Sequence, residues 1–170
     1  MIYIVEGTDG SGKTTMCDAL EAITLGARVK ANAPTAPALV EYTAPLVAYD
    51  GYGIDVVCDR WHVGERVYGP LYRGGCGLSP VAWAAVEGFL EERNACVILC
   101  HASVDTCVSR LVERGETPDR DALLREKLAF ERALTWTKLD YYMAATDTGS
   151  SSQAMAERIV ELRKADALLR

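Results

Sequence analysis

The segment from Gly7 to Thr15 combines the residue types and the spacing that bind phosphate groups. Gly7 is followed by four residues and then by Gly12-Lys13-Thr14, which matches the phosphate-loop pattern. An apolar run precedes this loop and an amphipathic run follows it, so the loop is predicted to join a buried strand to a helix. Glycines let backbone N–H groups turn toward phosphates, and the lysine adds a positive charge. We therefore expect a bound nucleoside triphosphate.

The residues predicted to hold this nucleotide lie in the loop and at the start of its helix, apart from one arginine farther along the chain. They are Gly7, Asp9, Gly10, Ser11, Gly12, Lys13, Thr14, Thr15 and Arg110. The Thr14 hydroxyl is a suitable ligand for Mg²⁺, because magnesium prefers oxygen atoms. Lys13 is also predicted to act in catalysis, since its charge can reach the β and γ phosphates.

Asp59 and Arg60 follow a short apolar run that is predicted to be a strand of the same sheet. At the end of such a strand, the carboxylate can hold Mg²⁺ and the guanidinium can clamp a phosphate with two hydrogen bonds. Both residues are therefore predicted to be catalytic, with Asp59 as a metal ligand beside Thr14. The alternative is a surface ion pair at a strand end.

The stretch from Trp61 to Gly75 interleaves aromatic residues, arginines and glycines without a clean helical or strand period. We interpret it as a loop that stacks a base or sugar and contacts its phosphate. The alternative for its aromatic residues is packing at the edge of the core. The residues predicted to bind the acceptor are Asp9, Arg60, Trp61, Glu65, Tyr68 and Arg73.

A third group of residues surrounds the turn at 115–119. Arg110 and Arg114 lie four residues apart on one predicted helix, and Arg120 follows the turn. Mobile arginines suit a lid over residues 110–121, because an arginine that reaches a transferring phosphoryl group accelerates transfer by ~10³ to 10⁵. Arg114 and Arg120 are the catalytic candidates. The alternative is a solvated, charged helix end.

The pattern of apolar and turn residues predicts short strands alternating with helices. This alternation predicts an α/β fold of three layers, with a parallel sheet covered by helices and ligands beyond the carboxyl ends of the strands. The predicted strands are 1–5, 27–31, 54–58, 96–100 and 141–146. The predicted helices lie at 13–26, 38–48, 79–93, 103–115, 120–137 and 152–164, with Pro45 expected to kink or end the second. A proline-bearing loop at 33–37 and a turn at 50–53 connect them.

The composition is that of an ordinary globular protein, with 170 residues, 49% hydrophobic and 25% charged. This length suits a single domain over residues 1–170. The net charge of −6 argues mildly against tight nonspecific binding of nucleic acid and leaves a local basic groove open. No apolar run approaches the ~20 residues of a membrane span, and no signal peptide is visible, so a cytoplasmic location is expected.

The six cysteines form no C-x-x-C pair, so buried free thiols are predicted instead of a zinc site. They are Cys17, Cys58, Cys76, Cys96, Cys100 and Cys107.

With these motifs in hand, the chain resembles the thymidylate kinase-like branch of the P-loop nucleoside monophosphate kinases. The resemblance rests on the run from Val5 to Thr15, on Asp59-Arg60 followed by an aromatic residue, and on Arg114-Gly115-Glu116 with Asp119-Arg120. It implies a five-stranded parallel sheet and transfer from Mg²⁺-ATP to a deoxynucleoside monophosphate. By position, it implies that Asp9 approaches the acceptor sugar and that Arg60 bridges the phosphates.

The chain departs from that family in length and in the residues that would recognise the base. Before Asp59 there is no phenylalanine and arginine of the kind that usually contact thymine. The aromatic and basic residues follow Asp59 instead, which leaves the acceptor base undecided.

Three functions remain open from the sequence. The leading one is a kinase of a deoxynucleoside monophosphate, with a small nucleotide as its partner. The second is a kinase of a hydroxyl on a nucleoside or on a hydroxymethylated base in DNA, with Glu6 as general base rather than as a cap for loop amides. The third is a nucleotide-gated binding module. A homodimer stays open as well.

Overall fold

A computed structural model describes residues 1–32, 37–50 and 52–169 of the chain. Parts of the predicted loop at 33–37 and turn at 50–53 lie outside these residues. The described strands are β1 (Ile2–Glu6), β2 (Ala27–Lys30), β3 (Val56–Asp59), β4 (Ala95–His101) and β5 (Asp140–Ala145). The described helices are α1 (Lys13–Thr24), α2 (Ala38–Asp50), α3 (His62–Tyr72), α4 (Pro80–Glu91), α5 (Val104–Glu113), α6 (Arg120–Leu134) and α7 (Ser152–Leu169).

The five strands form one parallel sheet in the order β2-β3-β1-β4-β5. Helices cover both faces, so the predicted three-layer α/β fold is confirmed. Alternate residues of β1 point to opposite layers: Ile2 and Ile4 pack in the core with α2, α3, α4 and α6, whereas Tyr3 and Val5 pack with α1 and α7. Since β1 is central, the loop that follows it lies at the middle of the sheet's carboxyl edge.

The register of the sheet places the second motif beside the first. Val5 of β1 pairs with Asp59 of β3, and the Arg60 N–H donates to the Val5 carbonyl at 3.0 Å. The end of β3 is therefore held directly next to the start of the phosphate loop, as predicted.

Two predictions about secondary structure need correction. The second predicted helix does not end at Pro45, because α2 continues to Asp50 with Tyr42 and Leu46 buried on either side of the proline. The stretch after Asp59 was predicted to be a loop, which is wrong, since α3 occupies most of it.

Helix α3 is stabilised by contacts with segments distant in the sequence. Val63 and Val67 are buried four residues apart, and the Glu6 carboxylate accepts hydrogen bonds from the helix's first turn. A Cβ at position 64 would lie 3.0 Å from the Glu6 carboxylate, so a larger residue would require this side chain to shift. His62 is fully buried and lies 2.6 Å from the Glu87 carboxylate of α4. Tertiary packing thus overrides the poor helix propensity of the stretch.

Serine caps begin two of the helices, as predicted. Ser79 accepts from the Ala82 N–H at 3.2 Å, and Ser103 accepts from the Thr106 N–H at 3.1 Å. All six cysteines are free; five are buried, and Cys76 is partly exposed. Within the described ranges, no helix is long and apolar enough to cross a membrane.

Candidate active site

The phosphate loop joins β1 to α1 and is held in a shape that few residues besides glycine adopt. Gly7, Gly10 and Gly12 all have positive φ angles, and Gly12 immediately precedes α1. A Cβ on Gly10 would lie 2.6 Å from the carbonyl oxygen of Cys107 in α5. The close approach of α5 therefore requires glycine at this position.

The Lys13 side chain folds back onto the phosphate loop. Its Nζ donates to the carbonyl oxygens of Gly7 at 2.9 Å and Thr8 at 2.6 Å, and it lies 3.5 Å from Asp9. Burial lowers the pKa of Lys13, and the Asp9 charge opposes this shift. Thr14 and Thr15 follow in the exposed first turn of α1.

Arg60 connects the loop to a neighbouring cleft. Its guanidinium lies 2.6 Å from the Asp9 carboxylate. Arg60 has a φ angle of 63°, a left-handed conformation that costs on the order of 1 kcal/mol for a residue with a Cβ. Partial burial acts against the charged form of Asp9, but the positive charges of Lys13 and Arg60 hold the pKa of Asp9 below its usual range. Asp9 is therefore ionised and a weak base.

The cleft has a volume of about 360 Å³ and lies between the phosphate loop, α3 and α6. It brings together all the residues predicted to bind the acceptor: Asp9, Arg60, Trp61, Glu65, Tyr68 and Arg73. The volume lies in the range of small-molecule sites. The alternative predicted for the aromatic residues also applies to Trp61, which is 2% exposed and packs its ring 5.6 Å from that of Tyr42.

Glu126 of α6 also lines this cleft, and sequence reasoning missed it. One oxygen of its carboxylate accepts from the Tyr72 hydroxyl at 2.5 Å, while the other is buried without a partner among the described residues. Burial raises the pKa of Glu126, and that of Tyr72 is raised to about 12. A sequence signal exists, because Glu126 falls between the buried Leu123 and Phe130 on the apolar face of α6.

Glu6 is enclosed beneath the cleft. Its Oε1 accepts from the N–H groups of Trp61 at 2.8 Å and Gly64 at 2.9 Å, and the side chain has no exposed surface. Burial raises its pKa to about 7. The capping role that we considered for Glu6 is thus directed at the start of α3 and not at the phosphate loop.

The two predicted magnesium ligands lie at the same edge of the sheet. Asp59 ends β3, where its carboxylate lies 4.0 Å from the Lys30 ammonium, and Thr14 is the second residue of α1. A carboxylate and a hydroxyl are hard oxygen donors, so this pair fits a magnesium ion chemically.

The three arginines of the predicted lid occupy different environments. Arg110 of α5 donates to the Gly10 carbonyl at 3.1 Å and to the Thr146 carbonyl at 2.7 Å. Arg114 and Arg120 are exposed, lying near Glu116 and paired with Asp105 respectively. The structure therefore brings Arg110 to the phosphate loop, whereas among the described residues no hydrogen bond joins Arg114 or Arg120 to it.

No protein-family model matches the sequence, and no curated protein matches it. Solved structures do match. The YorR protein from Bacillus subtilis, solved in complex with phosphorylated GDP, has 19% identity, a TM-score of 0.83 and coverage of 98% of both chains. Deoxyadenosine kinase from M. mycoides, with products dCMP and dCDP, has 15% identity, a TM-score of 0.59 and coverage of 97% of this chain and 100% of its own. Shikimate kinase from Acinetobacter baumannii has 16% identity, a TM-score of 0.54 and coverage of 97% and 93%.

These likenesses establish the P-loop kinase fold for the chain. They do not distinguish the thymidylate kinase-like branch from other P-loop kinases.

Proposed function

We propose that the protein transfers the γ-phosphoryl group of Mg²⁺-ATP to the phosphate of a deoxynucleoside monophosphate. The observation that carries this proposal is the position of Arg60, whose guanidinium lies between the phosphate loop and the 360 Å³ cleft. A guanidinium at that junction can bind the acceptor phosphate in line with the donor, which is the main requirement of phosphoryl transfer.

The proposed reaction needs no general base. An ionised oxygen of the acceptor phosphate attacks the γ-phosphorus, the bond to the β–γ bridging oxygen breaks, and that oxygen leaves with ADP. Lys13 and Arg60 offset the negative charge of the two phosphates while they approach each other. Thr14 and Asp59 would hold Mg²⁺, which supplies further charge neutralisation on the donor.

The environment of the acidic residues favours a phosphate acceptor over a hydroxyl acceptor. Glu6 has no exposed surface and already accepts two backbone hydrogen bonds, so it is poorly placed to take a proton from a ligand. The pKa of Asp9 lies below its usual range, so this carboxylate is a weak base. A kinase that uses a hydroxyl acceptor gains ~10² to 10⁴ from a well-placed base.

A nucleoside acceptor is the second candidate. It is favoured by the similarity to deoxyadenosine kinase, at TM-scores of 0.59 and 0.63 in two of its structures.

An ADP-release screen with Mg²⁺-ATP tests the proposal. The acceptors are the four deoxynucleoside monophosphates, the matching nucleosides, and DNA that carries hydroxymethylated bases. We expect turnover on a monophosphate and little change in the Glu6→Gln variant. Turnover on nucleosides or DNA alone, with a loss of several hundredfold in Glu6→Gln, would overturn the proposal in favour of a hydroxyl acceptor.

A further inference from the structure

The cleft contains a second ion pair besides Asp9–Arg60. Arg73, just after α3, donates to the Glu65 carboxylate, and both residues line the cleft. The other oxygen of Glu65 accepts from the Gly77 N–H at 2.8 Å. Glu65 is only 4% exposed, so its carboxylate is held in one orientation from two sides. The two ion pairs share no partner, which gives the cleft two distinct charged groups.

The second pair retains hydrogen-bonding capacity for a ligand. Each carboxylate oxygen has two lone-pair positions, and each oxygen of Glu65 uses one of them in the contacts above. A guanidinium carries five N–H donors, of which Arg73 directs one at Glu65. The pair therefore offers two adjacent acceptors beside several donors.

Aromatic side chains line the same cleft as this polar pair. Tyr42, Trp61, Tyr68 and Tyr72 all line the cleft, and the rings of Tyr68 and Tyr72 are stacked with centroids 6.2 Å apart. Flat apolar walls beside a hydrogen-bonding edge are suited to a planar heterocycle.

We propose that Glu65 and Arg73 bind the base of the acceptor nucleotide and that this base is guanine. The inference rests on the proposed function, in which the phosphate of the same nucleotide lies at Arg60. Guanine carries two neighbouring donors, the N1–H and the 2-amino group, next to the O6 acceptor. The carboxylate matches the two donors and the guanidinium matches O6.

The other common bases match this pair less well. Adenine and cytosine each offer a single amino donor on that edge, and thymine offers a single N–H between two carbonyls. Each would place an acceptor opposite one oxygen of the Glu65 carboxylate, or leave that oxygen without a hydrogen bond from the ligand. A site built to accept two hydrogen bonds from its ligand discriminates strongly against a ligand that lacks one of the donors.

The test measures kcat/KM with Mg²⁺-ATP for dGMP, dAMP, dCMP and dTMP, and for deoxyinosine monophosphate, which lacks only the 2-amino group. We expect dGMP to exceed the other three by at least ~10²-fold and deoxyinosine monophosphate by about tenfold. The comparison of dGMP with deoxyinosine monophosphate uses the unaltered protein, so it does not depend on whether a variant folds.

Two variants sharpen the test. Glu65→Gln retains an acceptor for the Gly77 N–H but replaces one acceptor with a donor, and should lower kcat/KM for dGMP about 30-fold while the KM for ATP stays constant. Arg73→Lys should lower kcat/KM for dGMP about tenfold. The matched control is Arg93→Lys, which alters an arginine paired with Asp50 outside the cleft and should change neither value.

The outcomes separate this inference from the proposed function. A preference for a different deoxynucleoside monophosphate would contradict the proposal that the base is guanine, but it would leave the proposed reaction with a phosphate acceptor intact. If no monophosphate is turned over, the proposed reaction fails. Calorimetric titration of the protein with dGMP, in the absence of ATP, then tests the base site by itself. Binding of dGMP that weakens in Glu65→Gln would still support the base site; binding of all four monophosphates alike, or of none, would overturn it.

Discussion

On its α5 side the phosphate loop accepts hydrogen bonds at its backbone carbonyls, whereas on its α3 side the loop side chain Asp9 forms an ion pair with Arg60. The Arg110 guanidinium donates to the Gly10 carbonyl, and the Thr146 hydroxyl donates to the Ser11 carbonyl at 2.7 Å. On the other side, the Tyr68 hydroxyl donates to the Gly7 carbonyl at 3.3 Å, and the charged contact is the pair of Asp9 and Arg60, whose side chains are 52% and 38% exposed.

From this difference we infer that contacts on the α5 side hold the shape of the loop backbone, whereas contacts on the α3 side bind the acceptor. Hydrogen bonds to loop carbonyls hold the backbone that must surround the donor phosphates, and such preorganisation is the main source of transition-state stabilisation in this chemistry. An exposed ion pair contributes little stability, so its partners can exchange each other for a ligand at low cost. We therefore expect changes on the α5 side to affect the donor and changes on the α3 side to affect the acceptor.

The largest expected effect concerns the two lid arginines that the structure leaves away from the loop. If the segment at 115–119 closes during the reaction, the double variant Arg114→Met/Arg120→Met should lower kcat by about 10³, because an arginine on the transferring group contributes ~10³ to 10⁵. Steady-state kinetics measure this. The control is Arg125→Met, an exposed arginine of α6 that lies 3.9 Å from Asp119. An unchanged kcat in the double variant would remove both arginines from catalysis.

Substitution of Arg60 tests whether contacts on the α3 side of the loop bind the acceptor. Arg60→Gly should lower kcat/KM for the acceptor by ~10² to 10³, the usual loss when one charge-stabilising donor is removed. The KM for ATP should change little. Glycine also accepts the left-handed backbone of this position, so the midpoint of thermal unfolding should not fall. Arg60→Met is the matched variant, with the same kinetic loss but the strain retained. A rise in the KM for ATP equal to that for the acceptor would contradict the division between the two sides.

Glu6 is buried beneath the acceptor cleft, and its substitution tests the stability of the protein instead of the reaction rate. Burial raises its pKa from 4.5 to about 7, so between these values the folded chain retains a proton that the unfolded chain has lost. The free energy of unfolding should therefore fall as the pH rises through this window, by on the order of 3 kcal/mol. Denaturant unfolding of the protein and of Glu6→Gln, at several pH values across the window, measures it. If both lose stability in parallel, Glu6 is not the cause.

The smallest effect is expected at Thr146, which connects β5 to the loop. Thr146→Val removes the hydroxyl that donates to Ser11 and accepts from Arg110, and should raise the KM for ATP about tenfold. The KM for the acceptor should stay constant. Thr146→Ser retains the hydroxyl and is the control. An equal effect of both variants would indicate that the methyl group matters and the hydrogen bonds do not.

Much of the fold could be predicted because its signals are local. The phosphate loop is a contiguous motif, and the caps at Ser79 and Ser103 lie within three residues of the N–H groups that they accept from. The position of Asp59-Arg60 beside the loop followed from a general property of parallel sheets, whose carboxyl ends share one edge.

Helix α3 and Glu126 could not be predicted in the same way. Gly64, Gly69 and Pro70 lower the helix propensity of α3, and the carboxylate that stabilises its first turn belongs to Glu6, more than fifty residues earlier. Glu126 joins the cleft through Tyr72, with which it shares no local sequence relation.

The sequence by itself determined that the chain has a phosphate loop between a strand and a helix, a parallel α/β order, and an acidic–basic pair at the end of a neighbouring strand. Each of these follows from residues adjacent in the chain or from a rule that applies to all parallel sheets. The tertiary structure alone decided which arginine meets the loop, how α3 forms, and which carboxylates line the cleft. Those features depend on contacts between distant segments, where burial and packing outweigh local propensity.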